Sequence, residues 1–242
     1  MYMKTIGSKT IPFVTRTEMV EVDRLMIEKY GIRLIQMMEN AGRNLSDLAQ
    51  YLLQGELTGK TIAVLCGGGN NGGGGLAAAR HMVNRGAEVH VALAVSRSKV
   101  KEIPAQQLIP LEQMGAEIIG KFPDGKYDMI IDALFGYGLR GKPQGLFAEW
   151  IIQMNQMQTT ILSLDIPSGM DADTGSSEGV YAQATATMTL ALPKKGMFAE
   201  GARHKVGDLF LADISVPTAL LASIGKYPNG LFDSGAVVQI EY

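Results

Sequence analysis

Apolar residues recur at helical spacing near the start of the chain. Between residues 33 and 53, Leu34, Met38, Ala41 and Leu45 follow steps of four and three, so a helix there would carry one apolar stripe. The segment before it opens with Thr-Arg-Thr-Glu at 15–18, which is a capping box, and helical spacing continues to Gly31. The sequence therefore predicts an N-terminal pair of helices.

The pattern then changes to short apolar runs that alternate with helical segments. Strands are predicted at 61–66, 88–95, 117–119, 128–132, 160–165, 185–192 and 208–213, and helices at 75–85, 104–114 and 145–157. Near-continuous apolar strands separated by helices indicate a mostly parallel sheet covered on both faces. We predict an α/β fold, a doubly wound three-layer α/β/α Rossmann-like sandwich. The run 185–192 alternates hydroxyl and apolar residues, so we expect one side of that strand to face water or a ligand.

Composition narrows the classes of function. The chain has 242 residues, is 46% hydrophobic and shows no repeat, so we expect a single domain spanning residues 1–242. A formal net charge of −2 without clustered Lys or Arg argues against nucleic-acid binding. No apolar run approaches the ~20 residues of a membrane span, and no secretory signal is apparent. The single cysteine excludes an internal disulfide. We expect a cytoplasmic protein.

The segment 67–75 contains seven glycines and two asparagines, and it lies between a predicted strand and a predicted helix. Glycine permits positive φ and close approach of backbone N–H groups to an anion, and the following helix start adds partial positive charge. We therefore interpret the segment as a phosphate-binding loop. A dinucleotide-dependent dehydrogenase would carry an acidic residue after the next strand, whereas this chain has Ser-Arg-Ser-Lys at 96–99.

Two further predicted strands end in a carboxylate. Asp132 is followed by a glycine-containing loop that carries Arg140 and Lys142, and Asp165 is followed by Ile-Pro-Ser-Gly. Because ligands of parallel α/β sheets bind beyond the carboxyl ends of the strands, these residues should meet the glycine-rich segment at one rim. There the carboxylates could be an acid/base pair or hold a cation. By contrast, Asp171 begins a run that resembles a calcium loop but lacks its final Glu, so we predict a turn.

Five motifs carry a resemblance to a known family, and they occur in its order and spacing over about residues 15–217. They are MENAG at 38–42, CGGGNNGG at 66–73, DALFG at 132–136, DIPSG at 165–169 and LPKKG at 192–196. The chain thereby resembles YjeF N-terminal-domain proteins, the NAD(P)HX epimerases. The resemblance implies a homodimer that interconverts the R and S epimers of hydrated NADH or NADPH. A separate dehydratase, expected to be absent from this chain, would repair the S form.

Carried over by position, the resemblance also implies site residues. Asp165 would be catalytic and contact the substrate, and Asn71, Asp132 and Ser168 would hold a potassium ion. The remaining substrate-binding residues implied are Asn70, Asn71, Gly72, Gly73, Gly74, Gly136, Tyr137, Gly138, Leu139, Arg140, Gly141 and Lys142.

One position departs from the family pattern, because Gly74 stands where Asp is usual. Two hypotheses follow. The intact Asp132, Asp165 and Ser168 favour an epimerase, an isomerase of nucleotide repair. Gly74 favours the alternative, a non-catalytic nucleotide-binding or scaffold member of the same fold family.

Overall fold

A computed structural model describes residues 3–228 and 230–242. The strands are β1 Thr5–Gly7, β2 Thr61–Cys66, β3 Glu88–Leu93, β4 Ile118–Ile119, β5 Met129–Ala133, β6 Thr160–Leu164, β7 Ala186–Leu190, β8 Asp208–Ala212 and β9 Val237–Glu241. The α-helices are α1 Arg16–Glu28, α2 Leu34–Leu52, α3 Asn70–Asn84, α4 Glu102–Gln106, α5 Leu108–Gln113, α6 Leu146–Gln156, α7 Arg203–Val206 and α8 Thr218–Ser223.

The nine strands form one sheet in the order β1-β9-β8-β7-β6-β5-β2-β3-β4. All neighbours are parallel except β8 and β9, which run antiparallel. The chain leaves β2 for β3 on one side and later returns to β5 on the other. The carboxyl ends of β2 and β5 therefore flank a topological switch point, where such sheets bind ligands.

Both faces of the sheet are covered, as the near-continuous apolar strands predict. Along β2, Ile62 and Val64 pack in one cluster with residues of α2 and α3, whereas Ala63 and Leu65 pack in another with Trp150 of α6. Successive side chains of a strand point to opposite faces, so two helical layers enclose the sheet. The predicted doubly wound α/β/α sandwich is confirmed.

The N-terminal helical pair is also confirmed. Thr15 and Glu18 form the predicted capping box, with the Thr15 N–H donating to Glu18 Oε2 at 2.7 Å and the Glu18 N–H donating to Thr15 Oγ1 at 3.2 Å. In α2 the stripe residues Met38, Ala41 and Leu45 are buried. Helix α2 packs along α3, and α3 in turn packs on the sheet.

Two predictions about elements were wrong, and two strands were not predicted. The single helix expected at 104–114 is two short helices, because Pro110 has no N–H for the Gln106 carbonyl. Strands β1 and β9 were not anticipated. The hydroxyl side of β7 faces neither water nor an open ligand site, since Thr187 and Thr189 are fully buried. The Thr187 hydroxyl donates to the Val206 carbonyl at 2.7 Å.

Candidate functional site

A cavity of about 590 Å³ lies beyond the carboxyl ends of β2, β5 and β6. The apolar residues that line it belong to α1, α2 and the segments at or after the strand ends, and include Met19, Leu34, Met37, Met38, Ala41, Leu164, Leu190 and Ile214. The polar residues that line it include Asn70, Asn71, Tyr137, Arg140, Asp165, Asp23 and Lys101. A cavity with both apolar and polar lining suits a ligand that carries both rings and charged groups.

The glycine-rich segment enters this cavity in a different form from the one predicted. It is a loop only over residues 67–69, because α3 begins at Asn70 and includes Gly72 to Gly75. None of its seven glycines has a positive φ. The interpretation as a loop that needs left-handed backbone was therefore wrong.

Close packing explains six of the seven glycines instead, the exception being Gly69, where an added Cβ would meet no neighbour. A Cβ on Gly72 would overlap the Gly67 carbonyl oxygen, and one on Gly75 would lie 2.5 Å from the Ala133 Cβ. On Gly73 it would lie 2.8 Å from the Met38 sulfur. The absence of side chains lets the first turns of α3 lie directly against α2 and the sheet, so the positive end of the helix reaches the cavity.

The predicted substrate-binding residues divide into two groups. Those that line the cavity are Asn70, Asn71, Gly74, Gly136, Tyr137, Gly138, Leu139, Arg140 and Asp165. Gly72, Gly73, Gly141 and Lys142 are not among the lining residues. The Gly73 N–H is already engaged, since it donates to the Gly69 carbonyl at 3.1 Å.

Asp165 is held in an unusual backbone conformation at the cavity. Its φ is 68°, a left-handed value that few non-glycine residues adopt, although Asp and Asn tolerate it best. The residue is buried, at 4% exposure, and the Tyr137 N–H donates to its Oδ2 at 2.9 Å. Strained conformations of this kind persist where surrounding contacts fix them, commonly in functional sites.

Lys194 is the main site residue that the sequence analysis missed. Its side chain is fully buried and forms an ion pair with Asp165 Oδ1. Its ammonium group also donates to Thr189 Oγ1 at 3.2 Å and to the Leu190 carbonyl at 3.0 Å. The LPKKG motif at 192–196 was the available signal, but nothing in it separates Lys194 from the exposed Lys195.

Asp132 lies at the neighbouring strand end in a different environment. It is fully buried and accepts hydrogen bonds from the Ser163 hydroxyl, the Leu134 N–H and both the N–H and the hydroxyl of Ser168. Among the described residues it has no cationic partner. Burial raises the pKa of the Asp132 carboxyl, while the hydrogen bonds from Ser168 act in the opposite direction.

Asn71 carries a buried polar atom that has no partner. Its Nδ2 makes no hydrogen bond within the described protein, although the residue lines the cavity. Its amide lies close to Gly136, where an added Cβ would be 3.2 Å from Asn71 Oδ1. Because buried amide groups are normally satisfied, this N–H group points to an acceptor supplied by a ligand.

Asp23 of α1 is a second cavity carboxylate that the sequence did not indicate. The Tyr137 hydroxyl donates to its Oδ2 at 2.5 Å. Burial raises the pKa of the Asp23 carboxyl, and the hydrogen bond from Tyr137 opposes that rise. The same burial, together with the Asp23 charge, raises the pKa of the Tyr137 phenol far above its ordinary value.

Other predicted features lie away from this cavity. Asp171 forms the expected turn, in which its Oδ1 accepts from the N–H groups of Asp173 and Thr174 at 3.0 and 2.9 Å. Within residues 3–228 and 230–242, no three His, Cys, Asp or Glu side chains gather as a metal-ligand group. The same residues contain no helix that is both long and apolar enough to cross a membrane.

Comparison with known proteins agrees with the motifs. The family model described as YjeF-related protein N-terminus matches residues 34–196. The chain belongs to this family. It is 41% identical over 239 residues to an NAD(P)H-hydrate epimerase of Dehalogenimonas lykanthroporepellens, covering 98% of this chain and 96% of the relative.

Longer relatives match as well. A bifunctional NAD(P)H-hydrate repair enzyme of Moorella thermoacetica is 37% identical over 220 residues, which are 87% of this chain but 42% of that enzyme. The crystal structure of yeast YNL200c superposes with a TM-score of 0.81 over 95% of this chain and all of the other, at 23% identity. That similarity supports the fold.

Proposed function

We propose that this protein is an NAD(P)H-hydrate epimerase, an isomerase that interconverts the R and S forms of hydrated NADH and NADPH. The observation that carries the proposal is the cavity carboxylate Asp165, ion-paired with buried Lys194 beside the start of α3. The 41% identical relative of nearly equal length is itself named an epimerase.

The cavity offers separate places for the parts of such a substrate. The first turn of α3 supplies N–H groups and partial positive charge for the pyrophosphate, and Arg140 lies on the same rim. The free Nδ2 of Asn71 can donate to a substrate oxygen. The apolar lining residues, among them Met38 and Leu164, suit a ring, which would bring the reacting carbon towards Asp165. Asp165 would then accept a proton from the reacting group.

A potassium ion would fit the residues at and behind the cavity lining. Asn71, Asp132 and Ser168 offer amide, carboxylate and hydroxyl oxygens, the ligand type that hard cations prefer. The carboxylate of Asp132 is fully buried and has no cationic partner within residues 3–228 and 230–242, and a buried charge needs compensation. A bound cation would supply that charge and add positive potential near the phosphates. We therefore include a potassium ion held by these three residues in the proposed site.

An epimerase of this kind works with an S-specific dehydratase, and we propose a separate dehydratase, a homodimeric assembly and a cytoplasmic location for this protein. The non-catalytic alternative depends on Gly74, which lines the cavity beside Leu164 without a carboxylate. It predicts dinucleotide binding without turnover.

One experiment separates the two functions. The protein is incubated with a mixture of both epimers and an S-specific dehydratase, and NADPH formation is followed. We expect the R epimer to be consumed much faster than in a reaction without the protein. Calorimetry with NADP gives the second reading. Heat of binding without accelerated consumption would support the binding protein, and neither signal at millimolar ligand would contradict both functions.

A further inference from the structure

Two carboxylates share the cavity, and they face it from different layers. Asp165 follows β6, whereas Asp23 lies on α1. Tyr137 connects them, because its backbone N–H donates to Asp165 Oδ2 at 2.9 Å and its hydroxyl donates to Asp23 Oδ2 at 2.5 Å. The proposed function assigns a role to Asp165 and none to Asp23.

The surroundings of the two carboxylates differ in charge. Asp165 has the buried ammonium group of Lys194 as its counter-ion. Asp23 forms no ion pair within the part of the chain that the structure describes, and its contact is a neutral phenol. Burial and the nearby Asp165 charge raise the pKa of Asp23, while the Tyr137 hydroxyl and the Lys194 charge lower it. Pairs of titratable groups in such contrasting environments commonly divide the acid and base roles.

We propose that Asp23 is the general acid of the epimerisation, and that it acts on the substrate hydroxyl while Asp165 acts as the base. This inference rests on the proposed function. It assigns a catalytic role to a residue of α1.

The reaction would begin with loss of the substrate hydroxyl. The reacting carbon carries a hydroxyl and is bonded to the ring nitrogen. Asp23 donates its proton to the hydroxyl oxygen, and the C–O bond breaks with its electron pair leaving on the oxygen as water. The lone pair of the ring nitrogen forms a C=N bond, which gives an iminium ion.

The configuration of the reacting carbon is inverted when water adds to the opposite face of the iminium ring. A water molecule adds there, and its oxygen forms the new C–O bond. The C=N electron pair returns to nitrogen, and Asp165 accepts the proton that the water releases. One water leaves and one adds, so substrate and product are isomers and neither an oxidant nor a reductant is needed. One proton has passed from Asp23 to Asp165, and exchange with solvent restores both.

The test compares three variants in the coupled epimerase assay across pH. Asp23→Asn removes the proton and should lower kcat by about 10²–10⁴-fold, with NADP affinity within a few-fold of wild type. Activity that needs protonated Asp23 falls as pH rises through the pKa of Asp23, so the wild-type pH–rate profile should have a descending high-pH limb. Asp23→Asn should lack that limb. Tyr137→Phe removes a donor to the ionised carboxylate and should move that limb to higher pH. Glu21→Gln, which changes a pair with Arg24 on the same helix, is the matched control.

A second reading uses ¹⁸O-labelled water. Wild-type protein should incorporate ¹⁸O into the substrate hydroxyl at the rate of epimerisation, above a reaction without protein. The inference is overturned if epimerised product is unlabelled, if Asp23→Asn keeps the high-pH limb, or if its defect lies only in KM. An inactive wild type would overturn the proposed function itself, whereas an active wild type with an unaffected Asp23→Asn variant overturns this inference alone. If Asp23→Asn does not fold, the direction of the Tyr137→Phe shift and the label decide.

Discussion

The ends of β5 and β6 are neighbours in the sheet, and each carries an aspartate, yet the two carboxylates differ in almost every other respect. Asp132 is sealed beneath the cavity and is satisfied by hydroxyl and amide donors. Asp165 opens to the cavity, has a left-handed backbone and is neutralised by Lys194. Topology brings both residues to one edge, but the donors around each carboxylate decide what it can do.

The difference indicates which role each carboxylate can take at the carboxyl edge of the sheet. A buried carboxylate without a cationic side chain has a charge left to compensate, which suits an ion site. A carboxylate with a fixed counter-ion and an open side is available to a substrate. Substitutions that exchange or remove these surroundings should therefore have separate effects on turnover, stability and response to salt.

The largest effect is expected from Asp165→Asn. The amide preserves shape and tolerates the positive φ, but it cannot accept the proton, so epimerisation should fall by about 10²–10⁴-fold. NADP binding measured by calorimetry should remain, with some loss of stability because Lys194 loses its counter-ion. Asp124→Asn, in an exposed ion pair with Lys121, is the control. Wild-type turnover in Asp165→Asn would show that the residue only binds or supports the fold.

Lys194→Met should give the largest loss of stability. It leaves the Asp165 carboxylate buried without its counter-ion, and breaking such a pair costs about 3–5 kcal/mol of unfolding free energy. Denaturation in urea gives the value. The adjacent, exposed Lys195→Met should change it by no more than about 0.5 kcal/mol. Equal effects at both positions would mean that the ion pair between Lys194 and Asp165 does not stabilise the fold. The counter-ion would then no longer set Asp165 apart from Asp132.

Asp132→Asn tests the other strand end. The amide N–H₂ would face the donors of Ser163 and Ser168, so the mismatch should cost about 1–3 kcal/mol. The removed charge should also abolish any difference in melting temperature and turnover between potassium and choline salts at equal ionic strength. A wild-type protein indifferent to this exchange, or a variant that still responds, would contradict the cation site.

The smallest effect is expected where a third carboxylate is introduced. A Cβ on Gly74 would lie 2.8 Å from Leu164 Cδ2, the end of a flexible side chain, so Gly74→Asp should cost about 1–3 kcal/mol. Leu164→Val in the same chain should recover part of it. If the absent carboxylate weakens the enzyme, the double variant should epimerise faster than Leu164→Val alone. A wild type that is already fast and unaffected would show that the carboxylate is dispensable.

Periodicity and strand ends made much of this architecture predictable. The α2 stripe and the apolar strands specify burial, and strand order in parallel sheets brings Asp132 and Asp165 together. What could not be read from sequence depends on distant contacts. Lys194 meets Asp165 across 29 positions, and Asp23 meets Tyr137 across 114. Strand β9 was missed because it is defined by its pairings with β1 and β8, and its pairing with β1 joins residues more than 200 positions apart in the chain.

The packed glycines of α3 also bear on the thermodynamics of binding. Because Gly72 and Gly75 have no side chains, α3 packs closely against Gly67 and the sheet, so its N–H groups need little ordering when a phosphate binds. By contrast, Gly138 and Gly141 lie in a loop with open space around them. The entropic cost of association should therefore fall mainly on the loop that carries Arg140, and stiffening that loop should strengthen affinity more than any change at the start of α3.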